Sequence, residues 1–492
     1  MRRGVHVGGQ VRLLSEEEIR SIDRAARAVL ANTGIDAGSD RLAEVLAGAG
    51  AGVDRDRRVR FPEKVIDEAL ERVPRQVLLY GRGEVAPLDL GDRRVHLGTG
   101  GAAIRVLDLG DGRARDPRLS DLADIAWLVE HLGNIHFFLR PVVARDVPAE
   151  SLDVLKFYTC LANTRKHVMG SAGSPEAARE IIELAGMVAG GLDALVERPI
   201  VSFITSWMVS PLSLDRSACD VLATVVESGI PVALSCAPVG GSTAPATLAG
   251  VLAQVHAEQL SGIVLTQAIR SGAPILYGPV PAVADFHTMG YAGGAIESAL
   301  LNAGCAQMAR SIGVPIYADA GLTDSKLPDA QAGYEKGMNI LLVALAGGNY
   351  IHHAAGMLES MLTVAYEQYV IDNDINGMAL RTLRGIEVSP ETLAEEVIGE
   401  VGPGGNYLTR SHTLEHIRTD EYYVSATADR RSRTAWEAAG SVDARGRARE
   451  IAREILARPR RRFIPADVEH EIRSRFDVIG SEGWEEARPE SG

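Results

Sequence analysis

The densest group of chemically useful side chains lies between residues 318 and 336, in the segment ADAGLTDSKLPDAQAGYEK. Asp319, Asp324, Lys326 and Asp329 follow a short apolar run there, at the position of a loop. Only five of the 51 basic residues are lysines, so a lysine in this loop indicates a need for an amine. One hypothesis is a Schiff base between Lys326 and a carbonyl substrate, with Asp319 or Asp324 moving protons. That chemistry requires a buried lysine, because burial lowers the pKa of the amine.

Two adjacent histidines, His352 and His353, belong to the last apolar run. Successive side chains of a strand point to opposite faces of a sheet, so we expect only one of these two rings to reach the protein interior. One inward histidine does not complete a metal-ligand set, and Glu359 alone does not supply the missing ligands. We therefore expect no catalytic metal, and we expect one of the histidines to face the substrate.

Aromatic residues are scarce, at 5% of the chain, yet several fall at or just after the ends of apolar runs. A quaternary ammonium group is bound by ring faces, because its methyl groups cannot donate ordinary hydrogen bonds. With the carboxylates of Asp319 and Glu359 these rings predict a cationic substrate, and Arg140 is the one run-end arginine that could hold a substrate carboxylate. The candidate rings, each of which could instead pack in the core, are Trp207, Tyr277, Phe286, Tyr291 and Tyr350.

The elements that must position these residues follow a regular pattern. Eight short apolar runs begin near residues 95, 135, 167, 200, 231, 274, 315 and 350, and a segment with helical periodicity follows each of them. Parallel strands buried on both faces read as continuous apolar runs, so the pattern predicts a (β/α)8 barrel over residues 95–385. We expect a helical lead-in over residues 1–94, with Ser15 capping its first helix, and a charged extension over residues 386–492. The glycines at 98, 100 and 101 lack the spacing of a dinucleotide-binding turn.

Composition excludes several classes of protein. The net charge of −14 argues against a nucleic-acid binder, which needs a broad basic face. We find no run approaching 18 uninterrupted apolar residues and no secretory signal, so we expect no membrane span and a cytoplasmic location. The four cysteines show no paired spacing and are expected to be reduced. A barrel of this size is expected to form a homo-oligomer.

Six long blocks resemble the trimethylamine methyltransferase family. They are APVGGSTAPATLAG (237–250), YAGGAIESALLNAGCAQMAR (291–310), GLTDSKLPDAQAGYEK (321–336), HHAAGMLES (352–360), YEQYVIDNDI (366–375) and EVGPGGNYL (400–408). The resemblance implies a (β/α)8 barrel that moves a methyl group from a methylated amine to Co(I) of a corrinoid. It also implies that a separate corrinoid protein carries this cofactor, with none bound tightly by the chain itself.

The resemblance further bears on the substrate. Archaeal members of the family use an encoded pyrrolysine, whereas relatives without it act on quaternary amines such as glycine betaine. This chain contains only ordinary residues, so it is similar to the branch without pyrrolysine, and the expected substrate is a betaine-like quaternary amine. The alternatives are trimethylamine or another methylamine, and a barrel that binds betaine without turnover.

Overall fold

The computed structural model describes residues 5–288, 290–419 and 421–476 and shows a mixed α/β fold. The predicted segments at residues 1–4 and 477–492 lie outside the described residues. Eight strands coincide with the eight apolar runs. They are β1 (His96–Leu97), β2 (Phe137–Leu139), β3 (His167–Gly170), β4 (Val201–Thr205), β5 (Val232–Cys236), β6 (Ile275–Pro279), β7 (Tyr317–Asp319) and β8 (Tyr350–His352).

All eight strands pair in parallel. Strands β2 to β6 form one sheet in chain order, and β7, β8 and β1 form a second sheet in that order. Two isolated parallel bridges connect the sheets, one between Gly98 and Phe137 and one between Tyr277 and Ile316. Each bridge joins an edge strand of one sheet to residues at an edge of the other.

A helix follows each strand before the next one begins. The helices are α1 (Leu119–Glu130), α2 (Leu152–Asn163), α3 (Pro175–Ala189), α4 (Arg216–Glu227), α5 (Leu248–Ile269), α6 (Ile296–Ser311), α7 (Ala330–Ala346) and α8 (Tyr366–Arg384). By length and composition α5 could cross a membrane, although we expected no such segment; 72% of its most apolar window is buried inside the fold. Helix α8 begins at Tyr366 and not directly after β8, because a hairpin of Met357–Leu358 and Thr363–Ala365 precedes it.

The segment before β1 is not purely helical, as we had expected. Its helices are Glu16–Ala28, Asp40–Gly48 and Glu63–Arg72, with a π-helical turn at Val29–Thr33 after the first. Ser15 caps the first helix as predicted: its hydroxyl accepts from the Glu18 amide, and the Glu18 carboxylate accepts from the Ser15 amide. Short strands alternate with these helices at Ile35–Asp36, Gly52–Val53, Arg58–Arg60, Gln76–Leu79 and Leu88–Gly91.

Further short elements lie between the main ones and after α8. The strands are Arg105–Leu107, Ala114–Arg115, Met208–Val209, Ser213–Leu214, Val239–Gly240, Ala282–Ala284 and Tyr291–Ala292. The helices are Leu192–Glu197, Pro390–Leu393, Glu395–Val401, Ser411–His416, Arg433–Ala438, Ala444–Leu456 and Ala466–Arg475.

The strands separate two buried clusters. The larger cluster packs the outward side chains of the strands against the helices. The smaller one, called the inner cluster here, combines side chains of both parallel sheets, including Phe137, Met169, Leu276, Tyr317 and Tyr350. The hairpin of Gln76–Leu79 and Leu88–Gly91 adds its apolar face to the inner cluster. The inner cluster therefore fills the space between the strands, below their carboxyl ends and the loops that follow them.

Candidate active site

A buried carboxylate and imidazole lie at the carboxyl ends of β7 and β8. Asp319 Oδ1 is 2.7 Å from His353 Nδ1, and the other ring nitrogen of His353 is 3.1 Å from the carbonyl oxygen of Gly101. The Asn302 side chain holds the other side of Asp319, because its Oδ1 accepts from the Asp319 amide at 3.0 Å. Both ring nitrogens of His353 thus face fixed acceptors, which sets the orientation of the ring.

His352 lies beside this pair, and the expectation that the two histidines point to opposite faces is wrong. Strand β8 ends at His352, and His353 has a left-handed φ of +61°, so the alternation of a strand no longer applies. The two rings contact each other with centroids 4.1 Å apart, and His352 stacks on Tyr317 at 3.9 Å. Burial lowers the pKa of His352 well below its ordinary value, and neither of its ring nitrogens has a hydrogen-bond partner among the described residues.

The segment after β7 is held against the hairpin before α8. The backbone amides of Glu359 and Ser360 donate to the carbonyls of Ser325 and Thr323, each at 2.8 Å, and the Ser360 hydroxyl donates to Asp324. Residues 359–361 all have left-handed φ angles, between +48° and +69°. A tight turn of three such residues, none of them glycine, costs free energy, so the contacts with the preceding loop must stabilise it.

Tyr291 reaches the same region from the loop after β6. Its hydroxyl is buried without a hydrogen-bond partner among the described residues. Burial raises the pKa of the Tyr291 phenol, and the negative charges of Asp319 and Asp324 raise it further. Tyr291 and Asp324 line one cavity together, whereas Asp319 and His353 form their hydrogen-bonded pair beside Gly101.

Glycines after β1 make room for this site, a feature that the sequence reading missed. A Cβ at Gly100 would lie 1.7 Å from the His353 ring, and a Cβ at Gly101 would lie 2.4 Å from the carbonyl oxygen of Arg140. Gly100 and Gly101 do not form a dinucleotide-binding turn; they allow the neighbouring strand ends to approach closely. The run of glycines was the available signal, although their neighbours in space could not be read from the chain.

Arg140 lines a cavity of about 330 Å³ at the ends of β1 to β4. Its guanidinium donates to the carbonyl of Val142 at 3.0 Å and to the hydroxyl of Ser171 at 3.4 Å, while its Nε has no partner. In the described part of the chain, no carboxylate forms an ion pair with it. Gly101 also lines this cavity, so the cavity adjoins the His353–Asp319 pair.

The charges around this cavity do not balance. Lys156 and Asp153 of α2 form a buried ion pair, and the second oxygen of Asp153 accepts from the amide of Gly173 at 2.6 Å. Burial lowers the pKa of Lys156 to about 8, and the positive charge of Arg140 acts in the same direction. Burial also holds the pKa of Arg140 below its ordinary value. Arg140 is half-buried and forms no ion pair in the described chain, although the charge of Asp153 acts on it, so an anionic ligand that enters the cavity would meet an available cation.

Four of the five candidate rings do not offer a free face to the interior. Trp207 packs against Gly262 of α5, and the Tyr277 hydroxyl lies 2.9 Å from His256 of the same helix. Both belong to the outer core and not to a substrate pocket. Phe286 is 65% exposed on the loop after β6. Tyr350 is in the inner cluster, but Phe137 and Tyr317 stack with it at centroid distances of 3.5 and 5.6 Å.

Lys326 and Glu359 line a different cavity, of about 560 Å³, with Asp285, Asp324 and Tyr291. Lys326 is exposed and donates to the carbonyl of Asp324 at 2.7 Å. The burial that a Schiff-base lysine needs is therefore missing, and the structure does not support a Schiff base at Lys326. Glu359 accepts from the Thr363 hydroxyl at 2.6 Å and lies 3.5 Å from Arg105.

A buried lysine that we did not predict positions the loops of the site. Lys336 of α7 donates to the carbonyls of Gly321 and Met357 and forms an ion pair with Asp372 of α8 at 3.2 Å. Burial lowers the pKa of Lys336 and raises that of Asp372, while each charge opposes the shift of the other. The ammonium group thereby connects the loop after β7 to the hairpin after β8.

Asp319, His352 and His353 could also hold a metal ion, since their ligand atoms lie within 4.8 Å of one another. The argument that only one histidine enters the interior therefore gives no reason to exclude such a site. The hydrogen bond between Asp319 and His353 uses two of the same atoms.

Sequence comparisons decide the family. The model described as Trimethylamine methyltransferase (MTTB) matches residues 3–478 of this chain. The chain belongs to the trimethylamine methyltransferase family. The trimethylamine methyltransferase MttB of Desulfitobacterium hafniense (strain DSM 10664 / DCB-2) is 34% identical over 94% of this chain and 92% of its own. The glycine betaine methyltransferase of D. hafniense (strain Y51) is 31% identical, over 95% and 96%. The resemblance seen in the six blocks is thus confirmed.

Two further comparisons are with proteins named as methylamine methyltransferases. The trimethylamine methyltransferase MttB of Methanosarcina thermophila is 34% identical over 94% of this chain and 96% of its own. The solved monomethylamine methyltransferase of Methanosarcina barkeri has a TM-score of 0.49 and 14% identity, and it covers 89% of this chain and 91% of its own. The protein is a methyltransferase, as its relatives are.

Proposed function

We propose that the two bridged sheets form one closed (β/α)8 barrel with the site at its mouth. The bridges at Gly98–Phe137 and Tyr277–Ile316 join the outer strands of both sheets in parallel. Side chains of both sheets also share the inner cluster, as the interior of a barrel requires. In such barrels the carboxyl ends of the strands carry the chemistry, which is where Arg140, Asp319 and His353 lie.

We propose that the protein transfers a methyl group from a quaternary amine that also carries a carboxylate, as glycine betaine does, to a corrinoid. The observation that supports this substrate class is the half-buried guanidinium of Arg140, which forms no ion pair in the described chain and lines a cavity together with Gly101, whose carbonyl lies beside His353. A ligand with a carboxylate at one end and an ammonium at the other matches these charges. Trimethylamine would leave the guanidinium without a counterion.

The residues of the site act by binding and orientation. Arg140 holds the carboxylate, and Asp319, which lies behind Gly101 and His353 at the edge of the cavity, attracts the ammonium. His353 fixes Asp319 through its Nδ1, and Asn302 fixes the Asp319 backbone. A quaternary nitrogen leaves as a neutral tertiary amine, so no residue has to protonate it. Catalysis then depends on holding one N-methyl group in line with the acceptor, which is a gain from proximity.

We propose that a separate corrinoid protein docks over the loops after β6, β7 and β8. Phe286, Leu327 and Leu362 are exposed on these three loops, which gives the mouth an apolar rim suited to a protein face. A corrinoid in its Co(I) state supplies the nucleophile that accepts the methyl group. This chain contributes the rim that receives the partner and the cavity that presents the methyl group, and we propose a cytoplasmic location for both proteins.

Trimethylamine is the second candidate substrate, because the relatives that act on it by name are as similar to this chain as the glycine betaine enzyme is. The carboxylate distinguishes the two substrates. A panel of trimethylamine, tetramethylammonium, glycine betaine, proline betaine, carnitine and choline, mixed with enzyme and cob(I)alamin or a corrinoid protein, tests the proposal. We expect the corrinoid absorbance to change with a betaine. A change with trimethylamine alone would overturn the quaternary-amine assignment.

A further inference from the structure

A third cavity, of about 390 Å³, lies at the opposite ends of the strands from Arg140 and Asp319. It is enclosed by the end of α1, by Arg165 and by residues 457–465, called the connector here, which join the helices Ala444–Leu456 and Ala466–Arg475. The end of α1 leads into β2 and Arg165 leads into β3, so the cavity lies at the amino ends of these strands. Its lining residues are Trp127, Glu130, His131, Arg165, Arg458, Pro459, Arg461 and Phe463.

The arginines of the connector fall into two groups. Arg460 and Arg462 form ion pairs, one with a carboxylate of α1 and one with a carboxylate of the helix Ala466–Arg475, so they fasten the connector to its neighbours. Arg458 and Arg461 instead line the cavity, and neither forms an ion pair within the described residues. Both are exposed, so a ligand from solvent can reach them. Such guanidinium groups bind phosphate well, because they can donate two parallel hydrogen bonds to it.

Basic side chains outnumber acidic ones at this cavity, although the whole chain has a net charge of −14. Glu130 is the one carboxylate among the lining residues, and Arg165 pairs with it at 2.7 Å. The charge of Glu130 also acts on the buried side chains of Arg82 and Lys166. With the two exposed connector arginines, five basic side chains therefore share one carboxylate. This imbalance favours an anionic ligand.

Aromatic rings give the cavity an apolar wall. The rings of Trp127 and Phe463 stack with centroids 6.1 Å apart and planes inclined by 25°. The Trp127 indole is fixed, because its Nε1 donates to the carbonyl of Ile455 at 3.1 Å. The guanidinium carbon of Arg165 lies 5.2 Å from the centre of the Phe463 ring, and Pro459 adds further apolar surface. Sites for small organic molecules combine an apolar wall with a few polar groups in this way.

We propose that this cavity binds an organic phosphate of the nucleotide class. Arg458 and Arg461 hold the phosphate groups, and the base packs against the wall formed by Trp127 and Phe463. An inorganic anion would leave the rings without a contact, and an uncharged ring would leave the excess positive charge unbalanced. The ligand would connect the C-terminal extension to α1. The inference does not depend on the amine substrate or on the corrinoid partner.

Calorimetry of the full chain with ADP, in the absence of amine and corrinoid, tests the proposal. ADP should bind at one site, with a dissociation constant of about 100 µM or lower, and R458Q/R461Q should weaken this binding roughly tenfold or more. The control R24Q/R55Q removes two exposed arginines before β1 and should bind ADP as wild type does. Adenosine and pyrophosphate, which each carry one part of ADP, should both bind roughly tenfold more weakly. Absence of ADP binding, unchanged affinity in R458Q/R461Q, or equally tight binding of pyrophosphate or adenosine would overturn the proposal.

Hydrogen–deuterium exchange of the unmodified chain gives a second test that needs no variant. Saturating ADP should slow the exchange of amides in the connector and in the last turn of α1, because the ligand joins these two segments. Unchanged exchange in both segments would contradict the proposal. Protection confined to the loops after β2 and β3 would place ADP in the cavity at Arg140 and would also contradict it.

Discussion

Replacing Arg140 tests the assignment of the carboxylate site in quantitative terms. In R140Q the carboxylate of a betaine would enter the cavity of about 330 Å³ without the guanidinium. Truncating one partner of a buried charge pair costs about 2–5 kcal/mol, and a mid-range loss of 3 kcal/mol corresponds to roughly a hundredfold weaker binding. Tetramethylammonium has the same charged head but no carboxylate, so its affinity should not change. The stability of the free enzyme should change little, because Arg140 is half-buried and forms no ion pair in the described chain.

The assay is isothermal titration calorimetry with glycine betaine and with tetramethylammonium, in the absence of any corrinoid. R145Q is the matched control, since Arg145 is an exposed arginine on the same loop after β2. Comparable losses for both ligands in R140Q would show a general disturbance of the cavity. No loss for glycine betaine would refute the placement of its carboxylate beside Arg140.

Three further outcomes follow from the buried charges. Burial holds the pKa of His96 and of His167 at about 4, so below about pH 6.5 the unfolded chain binds more protons than the folded chain does. The free energy of unfolding should therefore fall by roughly 3 kcal/mol per pH unit between pH 6.5 and 4. Equal stabilities in urea unfolding at about pH 7 and pH 5 would contradict this reasoning. K336M should lower the free energy of unfolding by about 3–5 kcal/mol, because it leaves Asp372 buried and unpaired. The double variant K336M/D372N should recover part of this loss. The control K64M, on an exposed helix face, should unfold as wild type does in the same assay. D319N should weaken tetramethylammonium binding by roughly tenfold or more in calorimetry, whereas unchanged affinity would place the ammonium elsewhere.

The strands could be predicted from the sequence because they are buried on both faces. Each of the eight apolar runs contains a strand, since no solvent-facing positions interrupt them. The helix cap formed by Ser15 and Glu18 could also be predicted, because it joins two residues that are close together in the sequence. The hairpin at 357–365 was missed because its contacts are with the loop after β7, far away in the chain.

The site was only partly readable. Asp319 and Arg140 lie at strand ends, so the pattern of runs was sufficient to nominate them. The direction of a side chain at a strand end depends on a single residue of register, and this is why Trp207 and Tyr277 face the helices instead of the interior. The joint inward position of His352 and His353 depends on one left-handed φ angle, which the alternating pattern of a strand does not reveal.

The most direct measurement of the central proposal is the ratio of kcat/KM for glycine betaine to kcat/KM for trimethylamine, with the same corrinoid acceptor. The guanidinium of Arg140 predicts a ratio of roughly a hundred or more, because only the betaine supplies a carboxylate to pair with it. In R140Q the ratio should fall towards one. A wild-type ratio at or below one would contradict the proposal that this enzyme takes its methyl group from a carboxylate-bearing quaternary amine.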